Sequence, residues 1–153
     1  MAITKLASRG LGTGVGGKVL QVVQGTYATT VTTTSTTYVT TNITASITPA
    51  STSNKILIIV SFPAGNSSGT GDIGGDYTIY RGSTDLLTRG GDTYYNDKGA
   101  NIGMNVAMNY LDSPSTTSST AYTVYMKARG TAPTVKSCHN NSTGVITLME
   151  IAV

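Results

Sequence analysis

Two stretches of this chain are apolar on both faces of a strand, and this limits the folds open to it. At a period of two, the last nine residues, Val145-Ile-Thr-Leu-Met-Glu-Ile-Ala-Val153, set Val145, Thr147, Met149, Ile151 and Val153 on one side. Ile146, Leu148, Glu150 and Ala152 fall on the other. Lys55-Ile-Leu-Ile-Ile-Val-Ser-Phe62 behaves alike, with Ile56, Ile58, Val60 and Phe62 opposed to Leu57 and Ile59. An antiparallel strand with one wet face alternates apolar and polar residues, and these two do not. The expectation is a two-layer sandwich that covers one face and a second copy of the chain that covers the other.

The rest of the chain reads as short strands between turn signals. Val19 to Gln24, Thr26 to Thr34 (weakly apolar, at an edge) and Thr37 to Thr48 precede the first two-sided strand. Asp76 to Arg81 and Thr84 to Thr88 form a hairpin around Gly82-Ser83. Gly103 to Leu111, Ala121 to Ala128 and Thr134 to His139 lead to the last strand, while residues 63–75 and 89–102 read as polar loops. About eight to ten strands with no helical period predict an all-β antiparallel β-sandwich of the jelly-roll kind. Residues 18–153 form that domain, preceded by a Gly-rich arm over residues 1–17 that includes Gly10-Leu-Gly-Thr-Gly-Val-Gly-Gly17.

Charged residues are only 11% of the chain, against ~25% in ordinary soluble domains, so Thr, Ser, Asn and Gly must carry solubility. The net charge of +3 reflects scarce carboxylates; Lys and Arg are scattered, which argues against a nucleic-acid partner. Cys138 is the single cysteine, excluding an intrachain disulfide and suiting assembly in a reducing cytoplasm. The first residues show no signal-peptide core, and no apolar run nears the ~18 residues of a membrane span, so no membrane partner is expected.

Little here points to catalysis. Gly12-Thr-Gly-Val-Gly-Gly17-Lys18 has phosphate-loop spacing, but strand-like Val19 to Gln24 follows where a helix is required. His139 adjoins Cys138, and neighbours on a strand point to opposite faces, so they form no nucleophile–base pair. Asp72 with Asp76, and Asp92 with Asn96 and Asp97, lack the loop spacing of a calcium site, so no metal and no cofactor is assigned. Tyr94-Tyr95 is the tyrosine pair expected to be exposed in a loop.

Glu150 is more informative. With Met149 and Ile151 assigned to the interior, Ile146, Leu148 and Glu150 face outward. The same parity turns Lys55, Leu57, Ile59, Tyr125 and Lys127 outward, giving one self-association surface on which Glu150 pairs with Lys127 or Lys55.

Gly17-Lys-Val-Leu-Gln-Val-Val-Gln24, the Thr-rich run to Thr48, Tyr110-Leu-Asp-Ser-Pro-Ser-Thr-Thr-Ser-Ser-Thr-Ala-Tyr122 and Ile146-Thr-Leu-Met-Glu-Ile-Ala152 together resemble a domain of tailed-phage virion proteins. Related domains are similar to the tumour-necrosis-factor-like jelly roll. The resemblance implies a homotrimer, with the first, last and two-sided strands in the sheet around the threefold axis, and no enzymatic activity. It implies a place in the virion, as a capsid decoration (cement) protein or a tail-fibre tip. A short arm carrying Ile3, Lys5, Leu6, Arg9 and Leu11 favours decoration, docking three copies on the major capsid protein by avidity. A receptor-binding tip would instead use loops 63–75 and 89–102 on a host glycan.

Overall fold

The computed structural model describes residues 17–67, 73–95, 102–130 and 133–153. These residues contain eleven strands: β1 (Val19–Tyr27), β2 (Val31–Thr33), β3 (Val39–Ile47), β4 (Lys55–Ser67), β5 (Ile73–Arg81), β6 (Thr84–Asp85), β7 (Gly91–Tyr95), β8 (Ile102–Asp112), β9 (Thr120–Arg129), β10 (Thr134–Ser137) and β11 (Gly144–Ile151). A 3-10 turn at His139–Asn141 separates the last two.

β4 is the spine of the first sheet. Along one edge it pairs with β8 for its whole length, from Ile56 opposite Asp112 to Asn66 opposite Ile102. The other edge is shared: β11 takes Lys55 to Ser61, with β1 outside it, and β10 takes Ala64 to Ser67, with β2 outside it. The second sheet runs β3-β9-β5, with β6 and β7 both on β5. Every pairing is antiparallel. The chain crosses between sheets at β2 to β3, β3 to β4, β4 to β5, β7 to β8, β8 to β9 and β9 to β10, so sequence neighbours face each other across the core. This is an all-β sandwich with a jelly-roll order.

The two layers close on the inward positions of β4. Ile56, Ile58, Val60, Phe62 and Ala64 are all at most 1% exposed, at a period of two. Opposite them lie Ile43, Tyr77, Ile79, Tyr122, Val124 and Met126 of the second sheet. Each fully buried aliphatic or aromatic side chain of this kind contributes roughly 1.5–3 kcal/mol. Phe62 meets Tyr77 edge-on at 5.2 Å, and the Tyr77 hydroxyl donates to the Lys136 carbonyl at 2.8 Å.

The predicted loops are shorter than expected. β4 continues through Pro63 to Ser67 because the alternation persists, with Ala64 and Asn66 turned inward. Pro63 falls between the end of β11 pairing at Ser61 and the start of β10 pairing at Ala64. A missing N–H is tolerated in such a gap. Within 89–102, Gly91–Tyr95 is β7, held by Thr93, whose hydroxyl donates to Asn66 Oδ1 at 2.7 Å and accepts from the Gly75 N–H at 3.1 Å. The hairpin at Gly82-Ser83 forms as expected, with Gly82 at φ 56°, a conformation glycine adopts without steric cost.

β11 corrects the assigned parity. Its register sets Ile146 opposite Val60, Leu148 opposite Ile58 and Glu150 opposite Ile56, and directly opposed residues share a face. Ile146, Leu148 and Glu150 are therefore interior, each 0% exposed, and Val145, Thr147, Met149 and Ile151 point outward.

Candidate functional site

The outer face of β1, β11, β4 and β8 carries an apolar row built by register alone. Val22 lies opposite Met149, Met149 opposite Leu57, and Leu57 opposite Leu111. Val22 is 55% exposed, Leu111 48% and Ile59, one step along β4 on the same face, 42%. Val19 and Leu20 at the start of β1 are exposed as well. The polar residues beside the row satisfy one another: Gln24 donates to Thr147 and Asn105 to Ser61, both at 3.1 Å. Lys55 is the single charged side chain among the outward positions of these four strands. Contiguous apolar surface of this sort marks an interaction site, and depletion of charge is typical of the core of an interface.

Of the residues assigned to a self-association surface, Lys55, Leu57 and Ile59 lie on this face. Tyr125 and Lys127 do not, because β9 belongs to the second sheet and its outward residues point away from the first. The inward residues Ile146, Leu148 and Glu150 do not either, and the Glu150 pairing with Lys127 or Lys55 is replaced by a different arrangement. Glu150 Oε2 accepts from Gln21 Nε2 at 2.6 Å, and Oε1 accepts from Asn54 Nδ2 at 2.6 Å and from the Ala50 N–H at 2.7 Å. The Gln21 bond does most to hold its pKa below the usual carboxylate range, against the opposing effect of burial, with Asn54 and the Ala50 and Ser51 backbone adding to it. Glu150 thus ties β1, β11 and the turn between β3 and β4 together. Val22, Met149, Ile151 and Leu111 are among the outward apolar residues that sequence reasoning missed; only the register reveals them.

The outer face of the second sheet holds a different site. Asp76 of β5 is 6% exposed, yet it points away from the core. Arg129 grips its Oδ1 through Nε and Nη2 and reaches Asp92 at 3.0 Å, Lys127 Nζ lies 3.7 Å from Oδ2, and Arg89 Nη1 is 4.0 Å from Oδ1. Lys127 also sits 4.7 Å from the centre of the Tyr38 ring, whose hydroxyl donates to the Thr88 carbonyl at 2.8 Å. Burial, followed by the Asp76 and Asp85 charges, pushes the Tyr38 phenol up to about 12, so it stays neutral. Tyr38, Asp76, Leu87, Thr88, Arg89 and Lys127 line an open cleft of about 480 Å³. Beside it Tyr38 packs edge-on to Tyr80, and Tyr80 stacks on Tyr125 at 4.1 Å.

No family model and no curated protein matches this sequence. Solved structures do match. A structure of the infectious bursal disease virus Gx strain is 14% identical over 87% of this chain and 38% of that one, with a TM-score of 0.41. The D431N mutant VP2 protein of the same virus, from derived T=1 particles, is 11% identical over 88% of this chain and 37% of that one, also at 0.41. The chain spans under two fifths of the length of these structures. A likeness this remote carries no functional inference, so function has to be argued from the two faces.

The remaining candidates resolve as follows. β1 begins at Val19, where a phosphate loop needs a helix. β10 ends at Ser137, so Cys138 and His139 are not strand neighbours as predicted; Cys138 takes φ 48° and His139 opens the 3-10 turn. Cys138 Sγ is buried 3.4 Å from the Tyr27 carbonyl, and the His139 ring packs where side chains on Gly65 or Gly103 would sit. Arg129 bridges Asp76 and Asp92, and among the described residues no group of three or more His, Cys, Asp or Glu side chains could hold a metal. Tyr94 and Tyr95, expected in a loop, are on β7. Asp72, Asn96, Asp97 and the arm residues Ile3, Lys5, Leu6, Arg9 and Leu11 lie outside the described residues.

Proposed function

We propose that this chain is a non-enzymatic virion structural protein, a homotrimeric capsid decoration protein whose copies meet through the outer face of β1, β11, β4 and β8. The supporting observation is the apolar row Val22–Met149–Leu57–Leu111. That face has one cation, Lys55, and no carboxylate, so a strongly charged partner has little to pair with. A second and third copy of the same surface match it, since each brings the same aliphatic strip. Lys55 lies opposite Ile151 at the start of β4, one same-face step from Leu57, where its long stem can keep the ammonium in water.

In this reading the arm over residues 1–17 docks the trimer on the major capsid protein of the same virion. Sedimentation equilibrium on the parent should give a trimer. Leu57→Glu should give a folded monomer, because it places three carboxylates in the shared surface. A parent that sediments as a monomer at micromolar concentration overturns the reading. Deleting residues 1–16 should leave the trimer intact and abolish binding to purified capsids. A second reading, a receptor-binding tip that contacts a host glycan, is favoured by the polar cleft on the opposite sheet, which the trimer leaves open to solvent.

A further inference from the structure

We infer that the cleft lined by Tyr38, Asp76, Thr88, Arg89 and Lys127 binds an acidic saccharide through a sugar carboxylate. This deepens the saccharide reading and gives it a site, and it does not depend on whether the trimer stands on capsid or tail. Asp76 is at the base of the cleft, its side chain 8% exposed, whereas the cations around it are further out: 57% for Arg89 and 31% for Lys127. Arg129, the third cation, is committed to Asp76 and Asp92. A ligand arriving from solvent therefore meets Arg89 and Lys127 before the carboxylate that positions them. Both approach Asp76 at distances beyond a good hydrogen bond, 4.0 Å and 3.7 Å, and so retain donors for a ligand. A guanidinium takes a carboxylate in two parallel bonds, and the Lys127 ammonium adds a point contact.

The surroundings hold these groups in place. Asp85 Oδ1 accepts from the Leu87 and Thr88 N–H groups at 3.2 and 3.0 Å and from the Thr78 hydroxyl, fixing the segment that carries Arg89. Thr88 is held at φ 60°, the strained left-handed conformation that clusters at ligand sites. Tyr38 supplies an aromatic wall to the cleft, and the cleft volume of about 480 Å³ suits one or two sugar units. Asp85 and the more exposed Asp92 are the other anions nearby; they discriminate against densely charged polymers while leaving room for one carboxylate at Arg89.

The test is titration of the full chain with oligogalacturonate and, separately, with a neutral oligosaccharide of the same length and with inorganic phosphate, read by calorimetry. Oligogalacturonate should bind, and Arg89→Ala and Lys127→Ala should each weaken it about tenfold or more, the loss of one charged contact. Neither variant touches the apolar face, so both should sediment like the parent, which separates failure of this site from failure of the trimer. Binding of the neutral sugar as tightly as the uronate, binding of phosphate alone, unchanged binding in both variants, or no binding to any probe overturns the proposal.

Discussion

At the scale of single residues, stability depends on a few buried polar groups. Glu150 receives three donors and is 0% exposed. Glu150→Gln offers one acceptor oxygen where two were used and turns an amide N–H₂ toward other donors; urea unfolding at pH 7 should show a loss of about 1–3 kcal/mol. The sign of the pH dependence follows from the lowered pKa. The stabilisation is present above the unfolded carboxylate value, near 4.3, and is lost as pH falls below that value toward the folded one. The parent should therefore lose stability on acidification over that window more steeply than the variant; equal slopes would remove Glu150 from the account. Tyr122 behaves in the opposite sense. Burial, then the hydrogen bond its hydroxyl donates to Asp112 Oδ2 at 2.7 Å, raises its pKa, and burial raises that of Tyr77. Stability from both is complete below the ordinary phenol value, near 10, and declines as pH climbs above it. Phenolate absorbance in a rising-pH titration should leave these two tyrosines un-ionised until the far-ultraviolet signal of the sheets is lost.

At the scale of the element, β4 separates the apolar residues buried in the fold from those the proposed trimer would use. Ile58 and Ile59 are adjacent in sequence and chemically identical, but Ile58 is 0% exposed and Ile59 42%. In a monomeric Leu57→Glu background, Ile58→Ala should cost about 2–5 kcal/mol by urea unfolding, and Ile59→Ala far less. In the otherwise unchanged chain the order should reverse for trimer dissociation, measured by sedimentation at falling concentration. Much of β4 was legible in the sequence, because its even-numbered apolar face is continuous from Ile56 through Phe62. The facing of β11 was not. Both of its sides are apolar, and a period of two fixes which residues share a face without saying which face is inside. The sequence reading takes Met149 and Ile151 as interior, which by parity leaves the Glu150 carboxylate outside, whereas the turn between β3 and β4 and Gln21 of β1 supply enough donors to keep it in.

At the scale of the whole molecule, the two sheets present opposite chemistries, one face apolar and nearly uncharged, the other ionic and aromatic. A trimer closed by the apolar face should be indifferent to salt. Sedimentation at 0.1 M and 1 M sodium chloride should give the same trimer, since screening weakens charge pairs and leaves aliphatic contact intact or stronger. Dissociation at high salt would show that ion pairs hold the copies together and would displace the apolar row from its role. Uronate binding in the cleft, by contrast, should weaken as salt rises, so one titrant separates the two faces.

The sequence by itself determined that the chain is all-β, where most strands lie, and that two of them are apolar on both faces, because period-two patterning and turn residues act locally. Only the tertiary structure decided which side of β11 is interior, that β9 lies across the core from β4, and that Asp76, Arg89, Lys127 and Tyr38 share one cleft. Those facts rest on cross-strand register and on the partnering of distant segments. A residue 40 positions away leaves no periodic trace in the residues it touches.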